Sequence, residues 1–311
     1  MDERLLVGVD LGGTKIAAAV TDREGKILSL EKTETGPGSE AGIVADRIAQ
    51  TVKRVIAVSG APAYKISGIG LCSPGPLDLS EGIAVDIATL GWKGVPIRKL
   101  VSDRCGLPVV LERDCNAAAY GEMRTGAARG ANDFIYVTVS TGVGCGIITG
   151  GKILHGKHDS AGEFGHICVD ENGRKCTCGC IGCLQEYSSG SAIANAYMEH
   201  LSLKGINTSA DCIDAEKAAL AGDEYTAGIW RAAGRKLGLG LSVLVQLFDP
   251  EMIVLGGGVT KALKLFEEDM MDALKAHTYP HLYEDLKIVR AGSGDNAGVI
   301  GAALIASEKY K

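Results

Sequence analysis

The chain has 311 residues and a mass of 32.3 kDa, with 46% hydrophobic and 23% charged residues. That is enough apolar material to bury a large core in one bilobal domain or two domains, which excludes general disorder. The net charge of -6, from 32 Lys+Arg against 38 Asp+Glu, argues against a nucleic-acid or anionic-membrane partner. No apolar run reaches the ~18 residues of a bilayer span, and Met1-Asp2-Glu3-Arg4 does not open a signal peptide, so a cytoplasmic location is expected. Ten cysteines are too few for a disulfide scaffold, and their crowding in one stretch favours a metal. The 43 glycines are about twice the usual share and imply many tight turns and close backbone approaches.

In chain order, Leu5 to Asp10 reads as a strand, Gly12-Gly13-Thr14-Lys15 as a turn, and Ile16 to Val20 as the returning strand. A third strand is predicted at about 26–33. A helix follows over about 40–58, with Ile43, Ile48, Val52, Val55 and Ile56 at helical spacing. Lys65 to Leu71 is a strand stopped by Ser73-Pro74-Gly75-Pro76. Pro96 to Cys105 suits a short helix, Leu107 to Glu112 a strand, and an alanine-rich helix begins near Ala117. Phe134 to Ser140, Thr141-Gly142-Val143-Gly144 and Cys145 to Thr149 repeat the opening hairpin, which suggests a duplicated architecture. After a Gly/His/Cys-rich insertion over 156–183, helices dominate to about Asp249, including a long one near Tyr225 to Phe248. A strand Glu251 to Leu255, the turn Gly256-Gly257-Gly258, a helix to Thr278, a strand Leu286 to Ala291 and a helix from Asn296 complete a mixed α/β chain. Glu267-Glu268-Asp269 reads as a solvated helix face.

Gly12-Gly13-Thr14 between two strands lets backbone N–H groups and a hydroxyl approach a phosphate, and Asp10 at the strand end could hold Mg²⁺ through water. A plain hairpin turn is the ordinary alternative. The second hairpin repeats the chemistry at Thr141 and Gly142, and the Gly257-Gly258 turn could pass beside an adenine or ribose. Neither G-x-x-x-x-G-K-[ST] nor G-x-G-x-x-G occurs there, so no P-loop or dinucleotide fold is supported. His166, Cys176, Cys178 and Cys183 form His-x9-Cys-x-Cys-x4-Cys, a donor set for a closed, structural Zn²⁺ site, with Gly179 and Gly182 allowing the loop to wrap an ion. Cys180, inside the loop, competes as a ligand. Cys72, Cys105, Cys115, Cys145, Cys168 and Cys212 read as small buried hydrophobes. Asp114, where strand gives way to helix, has the local look of an N-cap; in that position it could also turn its carboxylate to a cleft. Glu163 lies three residues before His166, and the remaining histidines show no partner pattern.

Taken together, Asp10-Leu11-Gly12-Gly13-Thr14-Lys15, Ser73-Pro74-Gly75-Pro76, Asp114-x-Asn116-Ala117-Ala118, Thr141-Gly142-Val143-Gly144, Glu163-Phe164-Gly165-His166 and the cysteine loop resemble, in order, the ROK family of sugar kinases and sugar-responsive repressors. The resemblance implies an α/β actin-like ATPase (ribonuclease H-like) fold with two lobes and a zinc-binding loop insertion: an N-terminal lobe over 1–115, joined by 296–311, and a C-terminal lobe over 116–295. It implies an ATP-dependent hexose kinase acting at the 6-hydroxyl, with Asp114 as general base and Mg²⁺ accompanying ATP. Asp10, Gly12, Gly13, Thr14, Lys15, Thr141, Gly142, Gly257 and Gly258 would serve ATP and its phosphates. Gly75, Arg113, Asp114, Glu163, His166 and Gln185 would serve the sugar, His166 also being a zinc ligand. A homodimer is the family expectation. Three positions depart from the glucokinase-like pattern: Gln185 for Glu, Arg113 for Asn, and Thr89 for Asn. An amide accepts fewer hydrogen bonds than a carboxylate, so Gln185 would read hydroxyls differently, and Glu186 is a weak substitute because neighbours on a helix diverge. Arg113 either meets an acidic substituent or, by strand alternation, points to solvent. The alternative function is a non-catalytic sugar-binding or regulatory protein; only nine residues precede Asp10, which leaves no room for a DNA-binding domain ahead of it.

Overall fold

The computed structural model describes residues 4–36 and 38–310. The chain begins with β1 (Leu5–Leu11), β2 (Lys15–Thr21) and β3 (Ile27–Glu34), then α1 (Ala41–Ser59) and β4 (Ile66–Ser73). Three short strands follow, β5 (Leu77–Asp78), β6 (Ile83–Ile87) and β7 (Trp92–Val95), then α2 (Ile97–Cys105), β8 (Val109–Arg113) and α3 (Asp114–Thr125). Next come β9 (Phe134–Val139), β10 (Val143–Thr149) and β11 (Lys152–Ile153), and the helices α4 (Gln185–Ser188), α5 (Gly190–Leu203), α6 (Cys212–Leu220) and α7 (Glu224–Phe248). The last elements are β12 (Met252–Gly256), α8 (Glu267–Ala276), α9 (Pro280–Tyr283), β13 (Lys287–Arg290) and α10 (Ala297–Lys309).

The two five-stranded sheets have the orders β3-β2-β1-β4-β8 and β11-β10-β9-β12-β13. Each opens with three successive strands paired in turn and then adds two strands reached through helical crossovers, so the repeated hairpin is the visible part of a repeated sheet. In the first sheet β1 pairs antiparallel with β2 and parallel with β4, in a register that sets Asp10 opposite Ala17 and Cys72. Parallel β4 and β8 then set Ser73 opposite Arg113. The ends of β1, β4 and β8 therefore bring Asp10, the Ser73 loop and the start of α3 to one edge.

Contacts divide the described chain into two compact units. The first holds the residues up to Tyr136, Gly146–Gly162 and the stretch from Ala291 onward; the second holds Val137–Cys145 and Glu163–Arg290. Residues 116–136 stay with the first unit because α3 lies along α10. The core of the first unit joins the inner faces of β1, β2 and β4 to Val44, Ile48, Val52 and Val55 of α1 and to Ile97 and Val101 of α2. Ile43, expected on the apolar stripe of α1, is 46% exposed and sits on the outer face, with Val44 and Ala45 taking its place inside. In the second unit α7 buries Trp230, Leu237 and Leu241, and its Gly234 and Gly238 let α8 approach to backbone contact. Trp230 stacks with Phe266 there, ring centroids 5.9 Å apart.

The small sheet β5-β6-β7 has no counterpart in the predicted elements, because its strands are too short to show an alternating pattern. The helix expected up to Thr278 is a 3₁₀ stretch Gly258–Leu265 followed by α8. Among the scattered cysteines, Cys72, Cys115 and Cys145 are buried as expected, Cys105 and Cys212 only partly, while Cys168 is exposed at a β-bridge to Cys183 at the edge of the cysteine loop. Glu267-Glu268-Asp269 forms the first turn of α8, where acidic groups suit the helix dipole; Asp269 also pairs with Arg235.

Candidate active site and metal centre

The first glycine turn is closed by the Gly12 N–H donating to Lys15 O at 2.9 Å, and Thr35 braces it through Oγ1 to Gly12 O at 2.7 Å. Thr14 and Lys15 stand exposed at its tip, and Gly13 abuts Thr89, 3.4 Å from where a Gly13 Cβ would lie. At the end of β1 the Asp10 carboxyl is pushed up to about 6, first by burial and then by the charge of Asp114; the Cys72 thiol and Lys32 pull it back. Part of Asp10 still reaches solvent. The two carboxylates thus lie near enough to repel each other, a repulsion that a cation or a proton would relieve.

Asp114 is the first residue of α3, and the N-cap position belongs to Arg113, whose side chain makes no cap bond. The Asp114 Oδ1 accepts from the Cys115 N–H at 2.7 Å. The N-cap reading is therefore corrected by one residue: Asp114 is an acidic first-turn residue. Arg113 is 5% exposed, so the solvent-facing alternative is corrected as well. Its Nη1 donates to Ala161 O at 2.6 Å, and its Nε lies 3.4 Å from where a Gly75 Cβ would be. Strand alternation fails here because the pleat of β8 ends at Arg113.

Beside it lies a group that the sequence reading missed. The Glu112 carboxylate, 4% exposed, accepts from the Arg113 N–H at 2.8 Å and from Asn116 Nδ2 at 2.9 Å through Oε1, and its Oε2 is 2.8 Å from His155 Nε2. The hydrogen bond to Glu112 is the largest influence on His155 and raises its pKa against the opposing effect of partial burial. This network fixes the strand-to-helix corner on which Asp114 sits.

In the second unit, Thr141 and Gly258 line one cavity of about 500 Å³ with Ser140, Lys261, Asp211 and Glu216. The first turn of α5 opens beside them, held by the Gly190 N–H donating to Ser140 O at 2.7 Å. Gly257, at φ 88°, does not line this cavity; a Cβ there would lie 2.3 Å from Val139 O, so its role is to let β12 pass close to β9. Gly142 faces Gln185 instead, 3.5 Å from the amide Oε1 to where its Cβ would be. Lys261, Asp211 and Glu216 carry no motif and could not be singled out from the sequence.

The donor atoms of His166, Cys176, Cys178 and Cys183 all lie within 4.8 Å of one another, and Cys180 is not among them. His166 Nδ1 is 3.8 Å from Cys176 Sγ, and Cys178 Sγ is 3.6 Å from Cys183 Sγ. Thiolates at ~2.3 Å from one tetrahedral ion are roughly 3.8 Å apart, so the spacing fits zinc. The other imidazole nitrogen, Nε2, is 3.9 Å from Glu163 Oε2, the side from which an outer carboxylate orients a metal-bound histidine. Gly165 lets this turn pack closely against β10: a Cβ there would lie 2.1 Å from Val143 O. Gly179 and Gly182 both take positive φ, and Gln185 Nε2 donates to Cys176 Sγ at 3.4 Å.

Two sheets of like order, each led by a glycine-turned hairpin, with acidic residues at the strand ends of one and a cavity at the hairpin of the other, define an actin-like ATPase fold. Within that class the chain matches the ROK family model over residues 6–309 and belongs to the ROK family. It is 32% identical to a glucokinase of Halalkalibacterium halodurans, over 99% of this chain and 97% of that one. The crystal structure of a ROK family glucokinase from Streptomyces griseus in complex with glucose and AMPPNP superposes with a TM-score of 0.85 at 34% identity, covering 97% of this chain and 98% of the other. A xylose repressor of Bacillus spizizenii is 29% identical over 98% of this chain and 77% of its own length.

Proposed function

We propose that the protein transfers the γ-phosphoryl group of ATP to the 6-hydroxyl of a hexose or hexose derivative, with Asp114 as general base. The observation that carries this reading is the Asp114 carboxylate at the head of α3, its corner fixed by the buried Glu112 and its charge felt by Asp10. The similarity to glucokinases, one of them solved with glucose and AMPPNP, supports the substrate classes. In-line transfer asks of the protein mainly positioning and charge compensation. Asp114 accepts the hydroxyl proton as the oxygen attacks phosphorus. The N–H groups of the Gly12-Gly13-Thr14-Lys15 turn and the Thr141-Gly142 turn hold phosphate oxygens, with Gly258 at the nucleoside and Gly257 shaping the turn that carries it. Asp10 is the residue that would hold Mg²⁺ through water, and the ion supplies neutralisation of phosphate charge when bound.

Gly75, Glu163, His166 and Gln185 would read sugar hydroxyls. His166, Cys176, Cys178 and Cys183 would hold one zinc ion, which supplies rigidity rather than a reacting water because four protein donors close the site. With Nδ1 turned to the sulfurs, His166 has only Nε2 for a hydroxyl, and that atom is shared with Glu163. The guanidinium of Arg113 braces the Ala161 carbonyl beside Gly75 and so narrows the sugar side of Asp114. The protein acts as a homodimer in this reading. Asp114→Asn is expected to lower ADP release, measured over a panel of hexoses, hexosamines and sugar acids, by ~10³-fold or more while fold and zinc content stay intact. Substantial remaining turnover would remove Asp114 from the role of base.

A second reading, a sugar-binding regulator without catalysis, is favoured by the xylose repressor similarity and by Gln185 and Arg113. Silence of the unsubstituted protein across the whole panel, with sugar binding retained in calorimetry, would support it.

A further inference from the structure

The helix α10 touches the first sheet through glycine. Cβ atoms placed on Gly8 and Gly70 would lie 1.9 Å from Val299 O and 1.8 Å from Ala302 O, and one on Gly301 would lie 1.7 Å from Ala117 O of α3. The backbone of α10 therefore rests directly on β1, β4 and α3, and it has no room to shift toward any of them. In its first turn, a Cβ on Gly298 would lie 2.8 Å from Asp10 Oδ2, 3.2 Å from Asp10 Cγ and 3.7 Å from Cys72 Sγ. The Cys72 thiol lies between the same groups, donating toward Gly298 O at 3.6 Å and touching the Asp10 carboxyl.

We infer that Gly298 is a positioning residue for Asp10: its missing side chain is the seat on which the Asp10 carboxylate rests, and a methyl group there would drive that carboxylate off its place. Moving α10 back would open its backbone contacts with β1, β4 and α3 together, and β1 is held on both sides, so the end of the Asp10 side chain is the part that gives most cheaply. The first turn of a helix also presents the positive end of its dipole, which favours a carboxylate seated against it. This inference rests on the reading that Asp10 serves the nucleotide-bound Mg²⁺.

The test compares Gly298→Ala, Asp10→Asn, the double variant and Ile300→Val, which trims the same helix away from Asp10. Mg²⁺ dependence of the rate, calorimetric binding of ADP with and without Mg²⁺, sugar KM and thermal unfolding are measured for each. Gly298→Ala is expected to raise the Mg²⁺ half-saturation and weaken Mg²⁺-dependent ADP binding by about tenfold or more, with sugar KM within about twofold. In the Asp10→Asn background the alanine should add little, since two changes acting through one carboxylate are not additive. Unchanged Mg²⁺ dependence in Gly298→Ala, an equal loss in Ile300→Val, or a full further loss in the double variant would each overturn the inference. Unchanged Mg²⁺ dependence in Asp10→Asn would instead overturn the reading beneath it. Should Gly298→Ala not fold, Cys72→Ala/Gly298→Ala opens room on the thiol side; it is expected to fold with Mg²⁺ dependence still altered, and failure to fold or unaltered dependence counts against the inference.

Discussion

An acid inside an apolar strand has to find partners, and Glu112 finds three within hydrogen-bonding distance. One of them, His155, has its pKa raised first by its hydrogen bond to Glu112 and ties the segment after β11 to the corner that carries Asp114. Because the pKa of His155 is raised in the folded protein, the stability it contributes is fully present below its ordinary 6.5 and is lost as pH rises through the raised value. His155→Gln keeps a donor for Glu112 but removes the titration. The melting temperature of the variant is therefore expected to fall furthest below that of the parent below pH 6.5, with the gap closing as pH rises through the raised value; a pH-independent gap would contradict this account. Residues of this kind are hard to read from sequence. Asp114 belongs to a motif, whereas Glu112 shows only as an acid in an apolar run and His155 as one of several unattached histidines. The direction of Arg113 was equally hidden, because strand alternation says nothing once the strand has ended.

At the level of elements, the cysteine loop was the most legible part of the chain. Its donor types and spacing name a metal without any knowledge of the fold, and the folded loop gathers the same four donors while leaving Cys180 out. Backbone bonds such as Val169 N–H to Gly182 O, Cys176 N–H to Cys180 O and Gly182 N–H to Arg174 O, each 2.8 Å, shape the loop, but the four gathered donors have an ion as their natural common partner. Removing the ion is therefore expected to loosen the stretch from Glu163 to Gln185. Purified protein should contain about one zinc per chain, and a strong chelator should lower its melting temperature and expose Cys176 and Cys183, both buried, to thiol reagents. Full stability of metal-free protein would refute a structural zinc. The hairpins and the long helix α7 were legible for a different reason, since each shows its period over several turns or strand residues. The strands β5 to β7 are too brief to do so, and the boundary between the 3₁₀ stretch after Gly257 and α8 depends on how that segment packs.

The repeated sheet could be suspected from two similar hairpins, but not the way the first unit is assembled from distant stretches of chain. Glu122, fully buried on α3, shows how such stretches are fastened. Its carboxylate accepts from Ala127 N at 2.7 Å, Gly292 N at 2.9 Å and Ser293 N at 2.8 Å, locking the turn that leads into α10. Nothing near Glu122 in the sequence points to residues 292 and 293, 170 positions later. Glu122→Ala would leave three part-buried donors without their acceptor and is expected to destabilise the protein by about 2–4 kcal/mol in urea unfolding, well beyond the effect of a surface glutamate. A loss below ~1 kcal/mol would show that water replaces the carboxylate.

The seating of α10 on Gly8 and Gly70 also has a meaning for synthesis. A ribosome makes β1 and β4 long before α10, so the first sheet leaves the exit tunnel with the face that this helix covers still bare. During that interval the uncovered face is open to sticking and cleavage, an exposure that ends when α10 emerges and docks.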